Sequence, residues 1–425
     1  MNKIINNYKK IQLFLKDHKD LGIFMVGDLL SKAVQFLASI YLARTINSDN
    51  YGIILYALSI QAYIMLLSDF GLSIIGTREI SKNIKNKNRI PIIVKNINFL
   101  KIIITLICIF IFIFILEFIN ISSIDKNIYY WTFFYALTQL INIEWYLIGL
   151  GDMKTVGLAR FIVQLSILLG LVTYVKNTEN YNKIPEIRLI FSLLAILIII
   201  AYLMYFKKIK YNFTYFKKIK LLYVRKYLIE SSPIAIISLI GLIYSTFDII
   251  YLGFYVEKRD IAIYGVANIF FYFSITISSG ISQYYFGKLS ASISSREEFK
   301  KIFLRFFKIM IIAAVITCFP IASLAPIIMP IVFGDSYNLT GEILPWMMMA
   351  GAISFLNSIY GNGLISSGHQ KKGLTATIAG AMMSIVLVLL LVPKYTMIGA
   401  IISRIVSEIT TATLQRYYFN KLVFS

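Results

Sequence analysis

Residues 205–227 read YFKKIKYNFTYFKKIKLLYVRKY, in which YFKKIK occurs twice at a ten-residue spacing and eight Lys and Arg stand without one carboxylate. On either side lie roughly two hundred residues in which apolar runs of about 20 residues recur, each long enough to cross about 30 Å of hydrocarbon as a helix. The basic run, 207–227, is therefore predicted to join two membrane-embedded halves, 1–206 and 228–425. The two copies would fall about 80° apart on a helix and share no face. The run reads as a tether, with Tyr and Phe at headgroup level and Lys against anionic lipid.

The whole chain supports that reading. Of its 425 residues 58% are hydrophobic and 15% aromatic, and the mean hydropathy is +0.74, outside the range of a soluble domain. The net charge of +21 raises nucleic acid as a partner. However, the basic residues cluster in short polar connections, as on the cytoplasmic side of a membrane protein, and nucleic-acid binding is not expected. The two cysteines, Cys108 and Cys318, lie in apolar runs without a second thiol or histidine at ligand spacing, and read as small core residues. His18 and His369 are far apart in sequence, so no metal is expected. No Gly-rich loop precedes Lys-Ser/Thr, so no nucleotide cofactor is expected. The polar, basic start of the chain does not read as a cleaved signal peptide.

Twelve spans are predicted, from about Gly22–Ala43 to about Ile398–Tyr418. The second runs from about Gly52 to Ile75, the fourth from about Ile128 to Leu150, the eighth from about Tyr264 to Phe286. Basic loops are expected at Arg78–Lys101 and Lys288–Lys308, and the ninth span carries Pro320, Pro326 and Pro330, which suggest bends. Lys and Arg concentrate in alternate connections, which places both termini in the cytoplasm.

The halves repeat. FGLSIIGTREIS near the end of span two pairs with SGISQYYFGKLS near the end of span eight, and GDMKTVGLA after span four with GHQKKGLTA after span ten. Cys108 and Cys318 occupy comparable places. An even number of spans per half relates the halves by an axis along the membrane normal, the parallel type of transporter repeat.

Several stretches carry a family resemblance: YLARTINSDNYG (41–52), DFGLSIIGTREIS (69–81), EWYLIGLGDMK (144–154), ESSPIAIISLIGLIYSTFDIIYLG (230–253), IYGVAN (263–268) and VPKYTMIGAIISRIVSE (392–408). Taken in order over essentially the full chain, they resemble the polysaccharide flippases of the MOP (MATE-like) exporter superfamily, the O-antigen or capsule-repeat translocases. The resemblance implies an all-α fold of twelve helices in two six-helix lobes around a central cavity that alternates between cytoplasm and periplasm. It implies that an undecaprenyl-pyrophosphate-linked oligosaccharide crosses the inner membrane, held by cationic residues, without enzymatic chemistry. The partners so implied are membrane lipid, the lipid-linked oligosaccharide and other glycan assembly proteins; the sequence does not fix the oligomeric state, and a monomer is favoured.

Charged residues inside the spans are costly, about 2.5 to 3.5 kcal/mol each even on the lenient insertion scale, and are the site candidates. Asp28 and Lys32 stand four apart on one face of span one, and Arg404 and Glu408 do the same in span twelve. Each couple is either a neutralising intrahelical pair or a cavity lining. Lys32 and Arg404 are the candidate diphosphate contacts, since cations complement phosphate. Asp28, Glu144 and Asp248, with Glu408 and Asp69, would carry a coupling proton or hold a polar network. Arg44 and Arg78 flank the first hairpin, where they reach headgroups or substrate. Glu117 reads as interfacial.

Two other functions fit parts of the pattern. A cation-coupled multidrug exporter of the same superfamily would use Asp28 and Asp248 in a more acidic pocket. A membrane glycan polymerase or glycosyltransferase would need a sizeable outer loop with gathered carboxylates. The longest outward loop, Lys176 to Arg188, is poor in paired acids.

Overall fold

In hydrocarbon a helix satisfies its own backbone hydrogen bonds, whereas an open strand does not, and the chain folds accordingly. The computed structural model describes residues 2–86, 88–118, 123–206 and 221–423. Among them there are helices and no strand: α1 (Asn2–Thr45), α2 (Ser48–Asp69), α3 (Leu72–Lys82), α4 (Ile90–Glu117), α5 (Ser123–Phe134), α6 (Thr138–Ile141), α7 (Glu144–Gly149), α8 (Met153–Tyr174), α9 (Ile184–Phe206), α10 (Leu221–Leu252), α11 (Lys258–Ala291), α12 (Arg296–Phe333), α13 (Asn338–Ser366) and α14 (Gln370–Val423). The part of the basic joint at 207–220, with the second YFKKIK, lies outside the described residues.

Ten helices among the described residues are long and apolar enough to cross a membrane, and two local features account for the step to twelve spans. The 54-residue α14 breaks at Thr396 (φ 49°, ψ −124°), just after Pro393, and so holds the eleventh and twelfth spans. The fourth span is divided into α5, a 3-10 turn at Tyr135–Leu137, α6 and α7, with extended backbone at Asn142. The chain is a multi-pass membrane protein. On α4, Ile103, Leu106, Ile107, Phe110 and Phe114 are exposed at steps of three and four residues, a stripe suited to lipid tails.

Several expected boundaries move. Span two does not run on to Ile75: Phe70 (φ 48°) and Gly71 (φ 74°) break the helix between α2 and α3. The loop expected at Arg78–Lys101 is mostly helix, because α3 continues to Lys82 and α4 starts at Ile90, with Pro91 in its first turn. The loop expected at Lys288–Lys308 is mostly helix too, since α12 starts at Arg296. There the Ser295 hydroxyl accepts from the Glu298 N–H and two acids occupy the first turn. α12 then runs uninterrupted through its three prolines.

The chain packs as two compact units, Met1–Ile46 with Ile60–Leu239 and Asn47–Ser59 with Ile240–Ser425. In the first, Leu72, Ile75 and Ile80 of α3, Ile97 and Leu100 of α4, and Trp145 and Leu147 of α7 form a buried core. α3 is fastened to α7 by hydroxyls: Thr77 donates to the Trp145 carbonyl at 2.9 Å and Ser81 to the Gly149 carbonyl at 3.1 Å. In the second unit small residues let helices close on one another, as is usual between membrane helices. A Cβ on Gly52 would fall 1.7 Å from the Lys258 carbonyl oxygen, and one on Gly341 2.9 Å from Pro326. Phe303 and Phe419 stack at 4.3 Å.

One repeated motif becomes a repeated geometry. After α7, Gly151 takes φ 80° and the Asp152 N–H donates to the Leu147 carbonyl at 2.9 Å. After α13, Gly368 takes φ 84° and the His369 N–H donates to the Leu364 carbonyl at 2.8 Å. Both are six-to-one Schellman closures with glycine in the left-handed position. The other matched motif diverges, because α11 runs straight through Gly280 where the first half breaks at Gly71.

Candidate functional site

The first unit brings together charges from three spans. α1 and α8 cross at a glycine pair: a Cβ on Gly27 would lie 2.5 Å from the Gly157 carbonyl carbon, and one on Gly157 2.7 Å from Phe24 Cα. That contact sets Asp28, the next residue on α1, against Arg160, one turn along α8. Arg160 Nη1 donates to Asp28 Oδ1 at 2.7 Å, while its Nη2 and Nε donate to Glu144 Oε2 at 3.0 and 3.2 Å. Lys32 Nζ meets the other Asp28 oxygen at 3.2 Å, as the four-residue spacing predicted. The Phe24 ring lies 5.6 Å from the guanidinium. Glu144 opens α7, where the helix dipole favours a negative charge. The cluster is half-open, with the Lys32 side chain 46% exposed and that of Arg160 34%. Charges this open within spans face water, since hydrocarbon would penalise them.

A second ion pair in the same unit is closed. The Lys101 side chain is 0% exposed, and its Nζ lies 2.8 Å from Asp69 Oδ1 and 2.8 Å from Ser73 Oγ. Ser73 in turn donates to both Asp69 oxygens, from its hydroxyl and from its N–H. The pair thus brackets the Phe70–Gly71 break, with the Trp145 ring 5.7 Å from the ammonium.

The second unit holds its charges on α10 and α14. Tyr244, Ser245 and Asp248 present two carbonyls and a carboxylate on one side of α10. Arg404 takes all three: 3.2 Å to the Tyr244 carbonyl, 2.9 Å to the Ser245 carbonyl and 2.5 Å to Asp248 Oδ2. The guanidinium fork suits such a set, and the Phe271 ring lies 5.0 Å away. Tyr264 also donates to Asp248. Arg404 and Glu408 therefore do not neutralise each other along one helix. Glu408 accepts from the Tyr244 hydroxyl at 2.8 Å and from the Asn357 side chain.

The remaining candidates lie apart from these clusters. Arg78 is half-exposed and pairs with Glu230 of α10, and Arg44 is exposed in the last turn of α1. Glu117, at the end of α4, pairs with Lys126 and accepts from Tyr130. Among the described residues no three His, Cys, Asp or Glu side chains gather at metal-binding distance. Sequence reasoning passed over Arg160, although a lone Arg inside an apolar run was a readable signal. It also left Lys101 in a loop, because the residue borders a basic stretch. Tyr244, Tyr264 and Asn357 carry no signal of their own among the many tyrosines and asparagines.

With the geometry described, relatives can be compared. A protein of Escherichia coli (strain K12) named "Putative O-antigen transporter" is 23% identical over 398 residues, 90% of this chain and 92% of that protein. Among solved structures, the inward-facing conformation of a multidrug resistance MATE family transporter of the MOP superfamily superposes with a TM-score of 0.72 at 15% identity, covering 96% of this chain and 98% of that one. Lipid II flippase MurJ in an inward closed conformation gives 0.72 at 15% identity over 93% and 86%. These likenesses establish a MATE-like fold. The profile of the polysaccharide biosynthesis protein family matches residues 18–268, more than half of the sequence, and the chain belongs to that family.

Proposed function

We propose that the protein is a flippase that carries an undecaprenyl-pyrophosphate-linked oligosaccharide repeat, of O-antigen or capsule type, from the cytoplasmic to the periplasmic leaflet of the inner membrane by alternating access. The observation that carries the reading is the half-open cluster of Asp28, Lys32 and Arg160 on the membrane-spanning α1 and α8 with Glu144 of the short α7, in a polysaccharide-family chain. A diphosphate needs cationic donors at membrane depth, and Lys32 offers an ammonium on an open side chain. Arg404 is spent on Asp248 and two carbonyls, so its role is to hold α14 against α10. The Lys and Arg bias of alternate connections supports cytoplasmic termini, and a monomer suffices for this mechanism.

The test is complementation of a deletion strain. The wild-type gene restores surface polysaccharide, whereas Lys32→Gln reaches the membrane in normal amount and restores none. Full restoration by Lys32→Gln removes that residue from the mechanism. Drug resistance on overexpression with unaltered glycan in the deletion strain would instead favour a multidrug exporter, which the carboxylates Asp28 and Glu144 would suit.

A further inference from the structure

Arg160 touches both carboxylates of the half-open cluster, yet nothing in its position brings it to the front. Lys32 is the more exposed cation, and it makes one contact, at 3.2 Å, against three from Arg160 at 2.7, 3.0 and 3.2 Å. The formal charges, Lys32 and Arg160 against Asp28 and Glu144, sum to zero. That balance has a direction. Arg160 gives Nη1 to Asp28 and converges Nη2 and Nε on one Glu144 oxygen, Oε2, a three-contact, pre-organised commitment. Lys32 holds Asp28 by a single point-charge contact that also costs side-chain entropy. An arriving anion would therefore exchange with Asp28 for Lys32 and leave Arg160 in place.

We infer that Arg160 is a positioning residue for anion capture: it absorbs the charge of Asp28 and Glu144 so that Lys32 is released to a phosphate group. The inference rests on the flippase reading for the identity of the anion, a lipid-borne diphosphate. The glycine crossing of α1 and α8 gives the arrangement its rigidity, since backbone contact at Gly27 and Gly157 holds Asp28 to Arg160 whether or not Lys32 is engaged.

Charge counting separates this role from a merely structural one. Arg160→Gln leaves two carboxylates facing one Lys32, a net charge of minus one, and anion binding should weaken by about tenfold or more. Arg160→Gln with Asp28→Asn returns the sum to zero and leaves Lys32 unclaimed by Asp28, and binding should recover to within about threefold of wild type. If Arg160 served only to bridge three helices, the second substitution would remove one more bridging partner and could not rescue. Asp28→Asn, which leaves a net charge of plus one and releases Lys32, should bind more tightly than wild type.

The experiment is titration of the purified full-length protein in nanodiscs with undecaprenyl pyrophosphate, and with inorganic pyrophosphate to separate headgroup from lipid recognition. Tight binding of Asp28→Asn provides the answer even if Arg160→Gln fails to fold. Binding by wild type with no rescue in the double variant and no gain in Asp28→Asn overturns this inference alone. No binding of either probe by wild type overturns the flippase reading with it.

Discussion

Arg404 lies 2.5 Å from Asp248 of α10 with both side chains buried, 2% and 4% exposed, while Glu408, one turn along the same helix, is held by Tyr244 and Asn357. A buried pair of this kind stabilises less by its own attraction than by the cost of breaking it, because a lone buried charge is left behind.

Arg404→Met should therefore destabilise the protein by about 3 to 5 kcal/mol, seen as a large fall in the thermal midpoint in detergent. Adding Asp248→Leu should recover most of the loss. A double variant no more stable than Arg404→Met would show that Arg404 acts through its two carbonyl contacts instead.

The same logic applies to Lys101, fully buried against Asp69 beside the α2–α3 break. Lys101→Met should cost about 3 kcal/mol or more, and the companion Asp69→Asn should restore part of it. Protease accessibility around residues 69–71 should rise in the single variant. Unchanged cleavage there would separate the ion pair from the break.

At the crossing of α1 and α8, Gly27→Ala places a methyl 2.5 Å from the Gly157 backbone, which must push the helices apart at about 1 to 3 kcal/mol. Gly241→Ala on α10 meets nothing within 4 Å and should be neutral or slightly stabilising. Thermal midpoints that fall equally in the two variants would contradict the close approach.

Gly71 and Gly280 come from paired motifs but differ in backbone. Gly71→Ala must hold a left-handed φ of 74° with Ile234 and the Ser231 carbonyl 3.0 Å from its Cβ, a penalty of about 1 to 2 kcal/mol. Gly280→Ala lies within helix in open space and should gain up to about 1 kcal/mol. Denaturation in detergent compares them directly, and a stable Gly71→Ala would mean that the break relaxes into a continuous helix.

Much of the fold was legible because hydrophobic length is a local property. A run such as the one around Phe110 crosses a membrane as a helix wherever it stands in the chain. Gly151 and Gly368 hold helix ends through a left-handed backbone that no other residue adopts as cheaply. Breaks inside apolar runs were less visible, since nothing in the residues around Phe70 or Asn142 forbids a helix there. Neighbouring helices decide those points, α10 against Gly71 and α7 against α3.

The candidate charges were legible as costly residues, and the Asp28–Lys32 pair as a four-residue spacing. Their partners were not. Taken alone, the sequence determined an all-helical, multi-pass membrane chain and a short set of spans carrying charge. The tertiary structure alone decided that Arg160 joins Asp28 to Glu144, that Lys101 is buried on Asp69 and that Arg404 leaves Glu408 for Asp248. Spacing along one helix predicts contacts only on that helix. Charges separated by 132 or 156 residues meet through the packing of spans, which depends on small-residue crossings such as Gly27 with Gly157.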